Sequence, residues 1–482
     1  MFDLRPVGYV IGLLVACLGV SMLVPMVVDM AAANGHWPAF AQAAIITTVT
    51  GALLAISTSN GMGAGLTIQQ TFLLTTGVWL ALPLFGALPF VMGATDARFI
   101  DAFFEAMSGM TTTGSTVFTG LANLPEGLKL WRGLMQWFGG IGIIIVAMVF
   151  LPELRVGGMQ IFRSEGFDTF GKILPRAGEI ARNISVIYLG LTVACMLAYL
   201  AAGMVVLDAV THAMTTIATG GFANSDASFG AYGANAEYVG AVFMMLAALP
   251  FVRYVQLLAG TAKPLFRDSQ IQTFFAIALV LVVMLALWQI ATGYAEGERA
   301  WRKAMFNAVS ILTGTGYASA NYELWGSFAV ALFFLMGLIG GCAGSTSCSI
   351  KVFRFQLLFS SIKAQIRRIH TPHGIFNPRY QGRAVPDDVI SSVMTFFVLF
   401  VVSLGVLAIL LGMTGLDFIT SVSGAATSLA NIGPGLGDII GPAGNFSTLN
   451  DTAKWLLCAG MLIGRLELLA VYVLFTANFW RP

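Results

Sequence analysis

The sequence predicts an all-α polytopic membrane protein with ten transmembrane helices and four short re-entrant helices. Three observations lead to this fold class: the composition, the lengths of the apolar runs, and four shorter apolar segments that lie between those runs. Of the 482 residues, 57% are hydrophobic and only 10% are charged, whereas soluble proteins carry about 25% charged residues. The chain therefore lacks the polar side chains that would cover a water-soluble globule of this size.

Ten apolar runs are long enough to cross a hydrocarbon core of about 30 Å as helices. The predicted spans are residues 7–28, 38–57, 67–92, 132–151, 183–206, 238–262, 271–293, 326–362, 389–412 and 453–478. When both chain ends are placed inside, lysine and arginine concentrate in the cytoplasmic loops, above all in 155–182 and 351–383. Because positive residues favour the cytoplasmic side, this orientation is predicted.

Four shorter apolar segments are each followed by glycine, threonine or asparagine. They are residues 100–113, 207–219, 301–315 and 416–430. A helix of this length cannot span the bilayer, and irregular backbone at membrane depth is tolerated only where it is buried in protein or lines a watery cavity. Each segment is therefore predicted to be a short helix that enters from the outside and continues as irregular backbone.

The short segments recur at a nearly even spacing, which indicates internal repetition. Their key glycines, Gly114, Gly220, Gly316 and Gly433, are 106, 96 and 117 residues apart, and each segment lies between two spans. Four pseudo-symmetric helix–short helix–helix repeats are therefore predicted after two extra N-terminal helices in 1–66. The predicted repeat boundaries are 67–151, 183–263, 271–365 and 388–482.

Glycine with a neighbouring threonine suits a binding site for a dehydrated alkali cation. Backbone carbonyls can replace the water around such an ion without adding a full charge. Glycine permits the backbone conformations that aim carbonyls at one axis, threonine adds a hydroxyl and favours an extended chain, and the carbonyl end of a short helix carries partial negative charge. Four such loops predict one filter for a monovalent cation.

The eighth predicted span is too long and is interrupted by a run of small residues, 337–349. Glycine and serine weaken a helix there, so an unwound loop below the filter is predicted as a gate; a helix face of small, closely packed residues is the alternative. The candidate gate residues are Gly340, Gly341, Ala343, Gly344, Ser345 and Thr346.

Arg465 lies inside the last predicted span, where a charge is costly and is usually paired or faces a pore. We hypothesise that it reaches the candidate gate loop or the carbonyls near the fourth filter strand. Snorkelling of its side chain to the cytoplasmic interface is the alternative.

These motifs resemble those of the Trk/Ktr/HKT superfamily of potassium transport proteins, over essentially the whole chain. The matching pieces are Met-Thr-Thr-Thr-Gly114-Ser-Thr, Thr-Ile-Ala-Thr-Gly220-Gly-Phe, Thr-Gly316-Tyr-Ala-Ser, Asn-Ile-Gly433-Pro-Gly, Gly340-Gly-Cys-Ala-Gly-Ser-Thr-Ser and Gly464-Arg-Leu-Glu-Leu. The fourth strand departs from the others, because Asn431-Ile432 precedes its glycine where the others have threonine.

The resemblance implies a potassium filter whose Thr-Gly pairs include Thr219-Gly220 in the second strand, with glycine at all four positions favouring potassium. The filter residues implied are Thr112, Thr113, Gly114, Ala218, Thr219, Gly220, Thr315, Gly316, Asn431, Ile432 and Gly433. It also implies a homodimer with one pore per subunit in the bacterial cytoplasmic membrane. Potassium would be the transported ion, and a TrkA-like cytosolic ring, not this chain, would bind the regulatory nucleotide.

Other function classes fit the sequence less well. A proton- or sodium-coupled symporter is the main alternative, with Glu105, Asp208 and His212 as possible proton carriers, and a purely structural subunit role is another. An enzyme is disfavoured because no nucleophile–base pair or metal cluster emerges. Nucleic acid is disfavoured as a partner because the net charge is only +2.

Overall fold

The computed structural model describes residues 3–61, 66–150, 157–159 and 177–481. Within these ranges, seven helices are long and apolar enough to cross a membrane, or up to nine if each of two bent helix pairs counts as one span. The seven are Arg5–Ala31, Trp37–Thr58, Ile68–Met92, Glu126–Met148, Ala181–Ala201, Ser269–Thr292 and Asp387–Met413. The polytopic helical fold is thus confirmed, while the count of ten spans stays a prediction.

The N-terminal helices pack closely through glycine. Arg5–Ser21 lies against Trp37–Thr58, and a Cβ on Gly12 would overlap backbone atoms of the second helix, as would a Cβ on Gly51 with the first. Two facing positions without side chains let the backbones approach, which is the usual way for membrane helices to gain contact area.

Four short helices occur where the sequence predicts them, with ends that differ by a few residues. They are Phe99–Met110, Val206–Ile217, Gly297–Leu312 and Phe418–Ala430. Asp417 caps the last of them by accepting a hydrogen bond from the Thr420 N–H at 3.1 Å, which satisfies a free backbone donor at the helix start. The four are called short helices 1 to 4 below.

Each short helix lies between an outer helix before it and an inner helix after it. The outer helices are Ile68–Gly86 (continued by Leu88–Met92), Ala177–Ala201, Ser269–Thr292 and Asp387–Met413. The inner helices are Glu126–Ile145, Ala234–Ala247 with Phe251–Leu258, Ser327–Ile339 with Val352–His370, and Asp451–Arg465 with Leu469–Tyr472. A helix, Lys263–Arg267, connects the second unit to the third, and Val146–Phe150 extends the first inner helix as a π-helix.

Three inner helices are interrupted, whereas the sequence predicted an interruption only in the third. The predicted continuous spans 238–262 and 453–478 are wrong: the helices on either side of the breaks differ in direction by 87° and 107°. Pro250 precedes the new helix at the first break. Proline cannot continue a helical hydrogen-bond ladder, which explains why the helix is interrupted there. The second break, at residues 466–468, contains neither proline nor glycine.

The all-α prediction has one small exception. Arg379–Tyr380 and Arg383–Ala384 form a two-stranded antiparallel hairpin after the long helix Val352–His370. Gln381 and Gly382 form its turn with φ angles of +49° and +83°, as tight hairpin turns require.

Candidate functional site

All four short helices end in the same backbone turn. A residue with left-handed φ comes first, and the N–H of the next residue bonds the carbonyl five residues earlier, as in a Schellman-type cap. The left-handed residues are Thr112, Thr219, Gly314 and Asn431. The bonds are Thr113 to Ser108 (2.8 Å), Gly220 to Thr215 (2.8 Å), Thr315 to Ser310 (2.9 Å) and Ile432 to Thr427 (3.1 Å).

A glycine with positive φ follows each turn and completes a three-residue unit that we call a ring segment. The ring segments 1 to 4 are residues 112–114, 219–221, 314–316 and 431–433. The predicted alignment of the second strand is therefore wrong by one residue: Gly220 stands where Thr113 does, Gly221 stands where Gly114 does, and Ala218 precedes the segment. Two adjacent glycines made both alignments possible, and only the turn distinguishes them.

The four ring segments meet around one axis in cyclic order. A Cβ on Gly114 would collide with the carbonyl oxygen of Gly220, one on Gly221 with that of Thr315, and one on Gly316 with that of Ile432. The circle closes because a Cβ on Gly433 would lie 2.8 Å from the Thr113 oxygen. Each glycine is thus required both for its φ and for the carbonyl of the next segment.

An open cavity of about 100 Å³ lies on one side of the ring, and the glycine of every segment lines it. Those glycines are Gly114, Gly221, Gly316 and Gly433. The cavity therefore opens onto a ring of backbone carbonyls, which is the ligand type suited to a partly dehydrated alkali cation.

Side chains connect the first and fourth segments. Asn431 donates from Nδ2 to Thr113 Oγ1 and to the Met461 carbonyl, both at 2.9 Å, and Ser115 Oγ donates to the Gly433 carbonyl at 2.8 Å. Asn431, which stands where ring segments 1 and 2 have threonine, therefore has a structural role, since its amide holds ring segments 1 and 4 together.

A buried ion pair supports the outer side of segment 1. Arg132 Nε lies 2.8 Å from Glu105 Oε1, and the same carboxylate accepts the Val117 N–H at 3.0 Å. His212 occupies the corresponding place behind segment 2, with Nδ1 2.8 Å from the Asp208 carbonyl. Glu105 is thus already engaged by an arginine and by a backbone N–H.

The third inner helix ends at Ile339 and the next helix begins at Val352, so the predicted interruption is confirmed. The residues between them form what we call the 340–351 loop, which is largely buried. It contacts the break of the second inner helix, where the Cys342 N–H bonds the Ala248 carbonyl at 3.0 Å and the Phe251 N–H bonds the Gly344 carbonyl at 2.9 Å.

The same loop lies directly beneath the ring. Ser347 Oγ donates to the carbonyl of Thr313 at 2.6 Å, and Cys348 Sγ lies 4.0 Å from Thr112 Oγ1. The loop that holds the candidate gate residues therefore contacts the ring through Ser347 and Cys348.

The comparisons with known proteins agree with this arrangement. Residues 36–481 match the model of the TrkH family, described as cation transport proteins. The chain belongs to the TrkH family. It is 44% identical to the Trk system potassium uptake protein TrkI of Halomonas elongata over 478 residues, covering 99% of this chain and 97% of that one. Its family is one of transport proteins, not enzymes.

Two further relatives cover the whole chain. The Trk system potassium uptake protein TrkH of Escherichia coli K12 is 36% identical over 488 residues, covering 99% of both chains. The crystal structure of the potassium transporter TrkH from Vibrio parahaemolyticus superposes with a TM-score of 0.91 at 32% identity, covering 100% of both chains.

In this TrkH family member, Arg465 is 2% exposed and reaches the 340–351 loop, as hypothesised. Its Nη1 lies 3.5 Å from the Thr346 carbonyl and contacts Cys348 Sγ, while Nη2 lies 3.3 Å from the Gly139 carbonyl. The snorkelling alternative is wrong, because the guanidinium is enclosed between the loop and the first inner helix.

Glu467 joins the breaks of the third and fourth inner helices, a contact that sequence reasoning missed. Its buried carboxylate lies 3.1 Å from Lys351 Nζ and also bonds Arg354 Nη2. Arg354 stacks on Phe396, with its guanidinium carbon 3.8 Å from the ring centre. We call Glu467, Lys351 and Arg354 the break cluster.

Two of the basic residues that the sequence places in the segment 351–383 belong to the break cluster and are buried. Lys351 is 4% and Arg354 is 0% exposed, so both are structural. The other basic residues of that segment remain exposed: Lys363, Arg367, Arg368, Arg379 and Arg383. Most of the other predicted cytoplasmic segment, 155–182, lies outside the described residues.

Proposed function

We propose that this chain takes up potassium across the bacterial cytoplasmic membrane through a channel-like pore, with the ring segments as its selectivity filter. The observation that carries the proposal is the cyclic ring of four carbonyls and four glycines below an open cavity. The relatives named above are potassium uptake proteins, which agrees with a ring of carbonyls as the ion-binding site.

The proposed filter keeps the predicted residues of segments 1, 3 and 4. In segment 2 it consists of Thr219, Gly220 and Gly221, with Ala218 at the end of the short helix. The four units with the boundaries predicted above would surround one pore within a single chain.

Uptake into proteoliposomes tests this function. With the purified chain alone, rubidium tracer uptake should be competed by external potassium and rubidium at far lower concentrations than by sodium or lithium, because we expect the carbonyl ring to replace the hydration shell of the larger ions. Equal competition by sodium would contradict the selectivity, and absence of any uptake by the purified chain would favour a structural subunit role.

Coupled symport with protons or sodium remains the second candidate, because interrupted helices near the membrane centre also occur in transporters. Asp208, like Glu105, is already engaged, since its Oδ1 accepts from Asn224 Nδ2 at 2.8 Å. Single-channel recording separates the two mechanisms, since unitary currents are incompatible with tight stoichiometric coupling.

We further propose that the 340–351 loop and Arg465 form a closed gate. A fixed positive charge beside Cys348 and Thr346 repels cations that have passed the ring. Replacement Arg465→Ala should therefore raise basal rubidium uptake several-fold, whereas Arg465→Lys, which keeps the charge, should change it less. Arg299→Ala at an exposed position serves as the control, and unchanged uptake in Arg465→Ala at normal expression would contradict the gate.

Regulation and assembly complete the proposal. A homodimer with both termini in the cytoplasm, associated with a TrkA-like nucleotide-binding ring, is expected. The five exposed basic residues of 363–383 supply a charged cytoplasmic surface on which such a partner could dock.

A further inference from the structure

In each ring segment, one residue turns its carbonyl towards the glycine of a neighbouring segment. In segment 2 that residue is Gly220, which has no side chain. The corresponding residues in the other segments are Thr113, Thr315 and Ile432. Unlike Gly221, Gly220 does not have a left-handed φ, so backbone conformation does not explain why glycine stands there. The absent side chain must have another reason.

That reason is a side chain from a neighbouring helix. A Cβ on Gly220 would collide with the amide of Gln136, which lies fully buried on the first inner helix. Gln136 Nε2 donates to the Gly220 carbonyl at 2.5 Å, and its Oε1 accepts the Phe222 N–H at 3.1 Å. A carbonyl can only accept and an N–H can only donate, so these two partners determine the orientation of the amide.

The fourth segment shows the opposite distribution of volume. There the ring-carbonyl residue Ile432 has the large side chain, and the third inner helix has Gly337, where a Cβ would meet Ile432 Cδ1 at 2.6 Å. At segment 2 the first inner helix supplies the large residue, Gln136, and the ring segment supplies the glycine, Gly220. The two contacts fill similar space between an inner helix and the next ring segment in opposite ways.

Gln136 also makes one carbonyl of the ring different from the rest. In the described part of the chain, the carbonyls of Thr113, Thr315 and Ile432 accept no side-chain hydrogen bond, whereas that of Gly220 accepts one from Gln136. A donor at 2.5 Å occupies one lone pair and polarises the oxygen that faces Gly114.

We propose that Gln136 is a positioning residue for ion selection. Its amide fills the space of the side chain that Gly220 lacks, and it holds segment 2 in the same position relative to the ring as the other segments. This inference rests on the proposed function of the ring as a filter. It assigns a contribution to selectivity to a residue that belongs to an inner helix and touches the filter only from behind.

The proposal is tested by removing the large side chain at position 136 and adding one at position 220. The proteins compared in proteoliposomes are the wild type, Gln136→Ala, Gly220→Thr, and the double variant Gln136→Ala with Gly220→Thr. The measurements are the apparent affinity and maximal rate of rubidium uptake and the inhibition constants of potassium and sodium.

Gln136→Ala should reduce the preference for potassium over sodium by about five- to tenfold, since it removes both hydrogen bonds that hold the segment. Gly220→Thr alone should lose most uptake through the collision. The double variant should recover both uptake and preference towards the wild type, because a threonine then fills the vacated space as in segments 1 and 3. Recovery in the double variant is a result that general destabilisation cannot produce.

Gln289→Ala is the matched control, since Gln289 is also buried and, among the described residues, its side chain donates only to the Leu285 and Ala300 carbonyls. Should Gly220→Thr fail to fold, Gln136→Met, which keeps the length but loses the donor, must still lower the ion preference at normal thermal stability. Wild-type preference in both Gln136 variants, or a double variant as defective as Gly220→Thr, would overturn the inference. A wild-type protein without potassium preference would instead overturn the filter itself.

Discussion

Replacement Gly316→Ala is expected to reduce potassium uptake by tenfold or more without unfolding the protein. Gly316 has a φ of +84°, and a left-handed conformation costs an alanine about 1–2 kcal/mol, where about 1.4 kcal/mol corresponds to a factor of ten. The added Cβ would also collide with the Ile432 carbonyl, so that oxygen must move away from the ring. Rubidium uptake into proteoliposomes measures the loss.

Two glycine variants separate the contributions to this effect. Gly314 is also left-handed, at φ +74°, but the nearest atom to its added Cβ is 3.6 Å away. Gly314→Ala should therefore lose only the part of the uptake that backbone strain accounts for, and less than Gly316→Ala. Gly142→Ala on the first inner helix meets only Trp79 at 3.8 Å and should be silent. Comparable losses in Gly316→Ala and Gly314→Ala would show that the carbonyl contact is unimportant.

Replacement Glu467→Gln is expected to destabilise the folded protein by about 3–5 kcal/mol, because it leaves two buried cations without their carboxylate. Lys351 and Arg354 both bond Glu467 in the break cluster. The carboxylate also holds a costly backbone: Glu467 and Leu468 have φ angles of +61° and +55°, and such consecutive strain persists only where contacts enforce it. Thermal unfolding in detergent should show the loss as a lower melting temperature.

Glu298→Gln provides the matched control, since Glu298 pairs with Arg302 at 2.7 Å but is 59% exposed and such pairs contribute at most about 1 kcal/mol. Adding Lys351→Met to Glu467→Gln removes one of the unpaired cations and should recover part of the stability. If Glu467→Gln melts no lower than Glu298→Gln, the break cluster does not hold the two helix breaks together.

The four short helices could be predicted because their signals are local. An apolar run too short to span, followed by glycine and threonine, has few other solutions in a bilayer. The interruption at Gly340 was predictable for the same reason, since small residues weaken a helix wherever it lies. Pro250 marked the break in the second inner helix just as clearly, and the prediction of a continuous span at 238–262 overlooked it.

Features set by distant contacts could not be predicted in this way. Leu466, Glu467 and Leu468 are compatible with a helix, and the chain turns there because Glu467 pairs with residues more than a hundred positions earlier. The alignment of segment 2 depended on Gln136, whose amide takes the space of a side chain at Gly220. In each case the polar residue itself, Glu467 or Gln136, was visible in the sequence, but its partner was not.

The closure of the ring within one polypeptide has an evolutionary consequence. In a homotetrameric channel every codon change alters four symmetric positions at once, so a single variant must suit all of them. Here the position of Gly220 could change alone while Gln136 compensated for it, and Asn431 could replace the residue type used in the other quadrants. After duplication of an ancestral unit, the proposed filter could therefore change its preference among ions by altering one ring segment at a time.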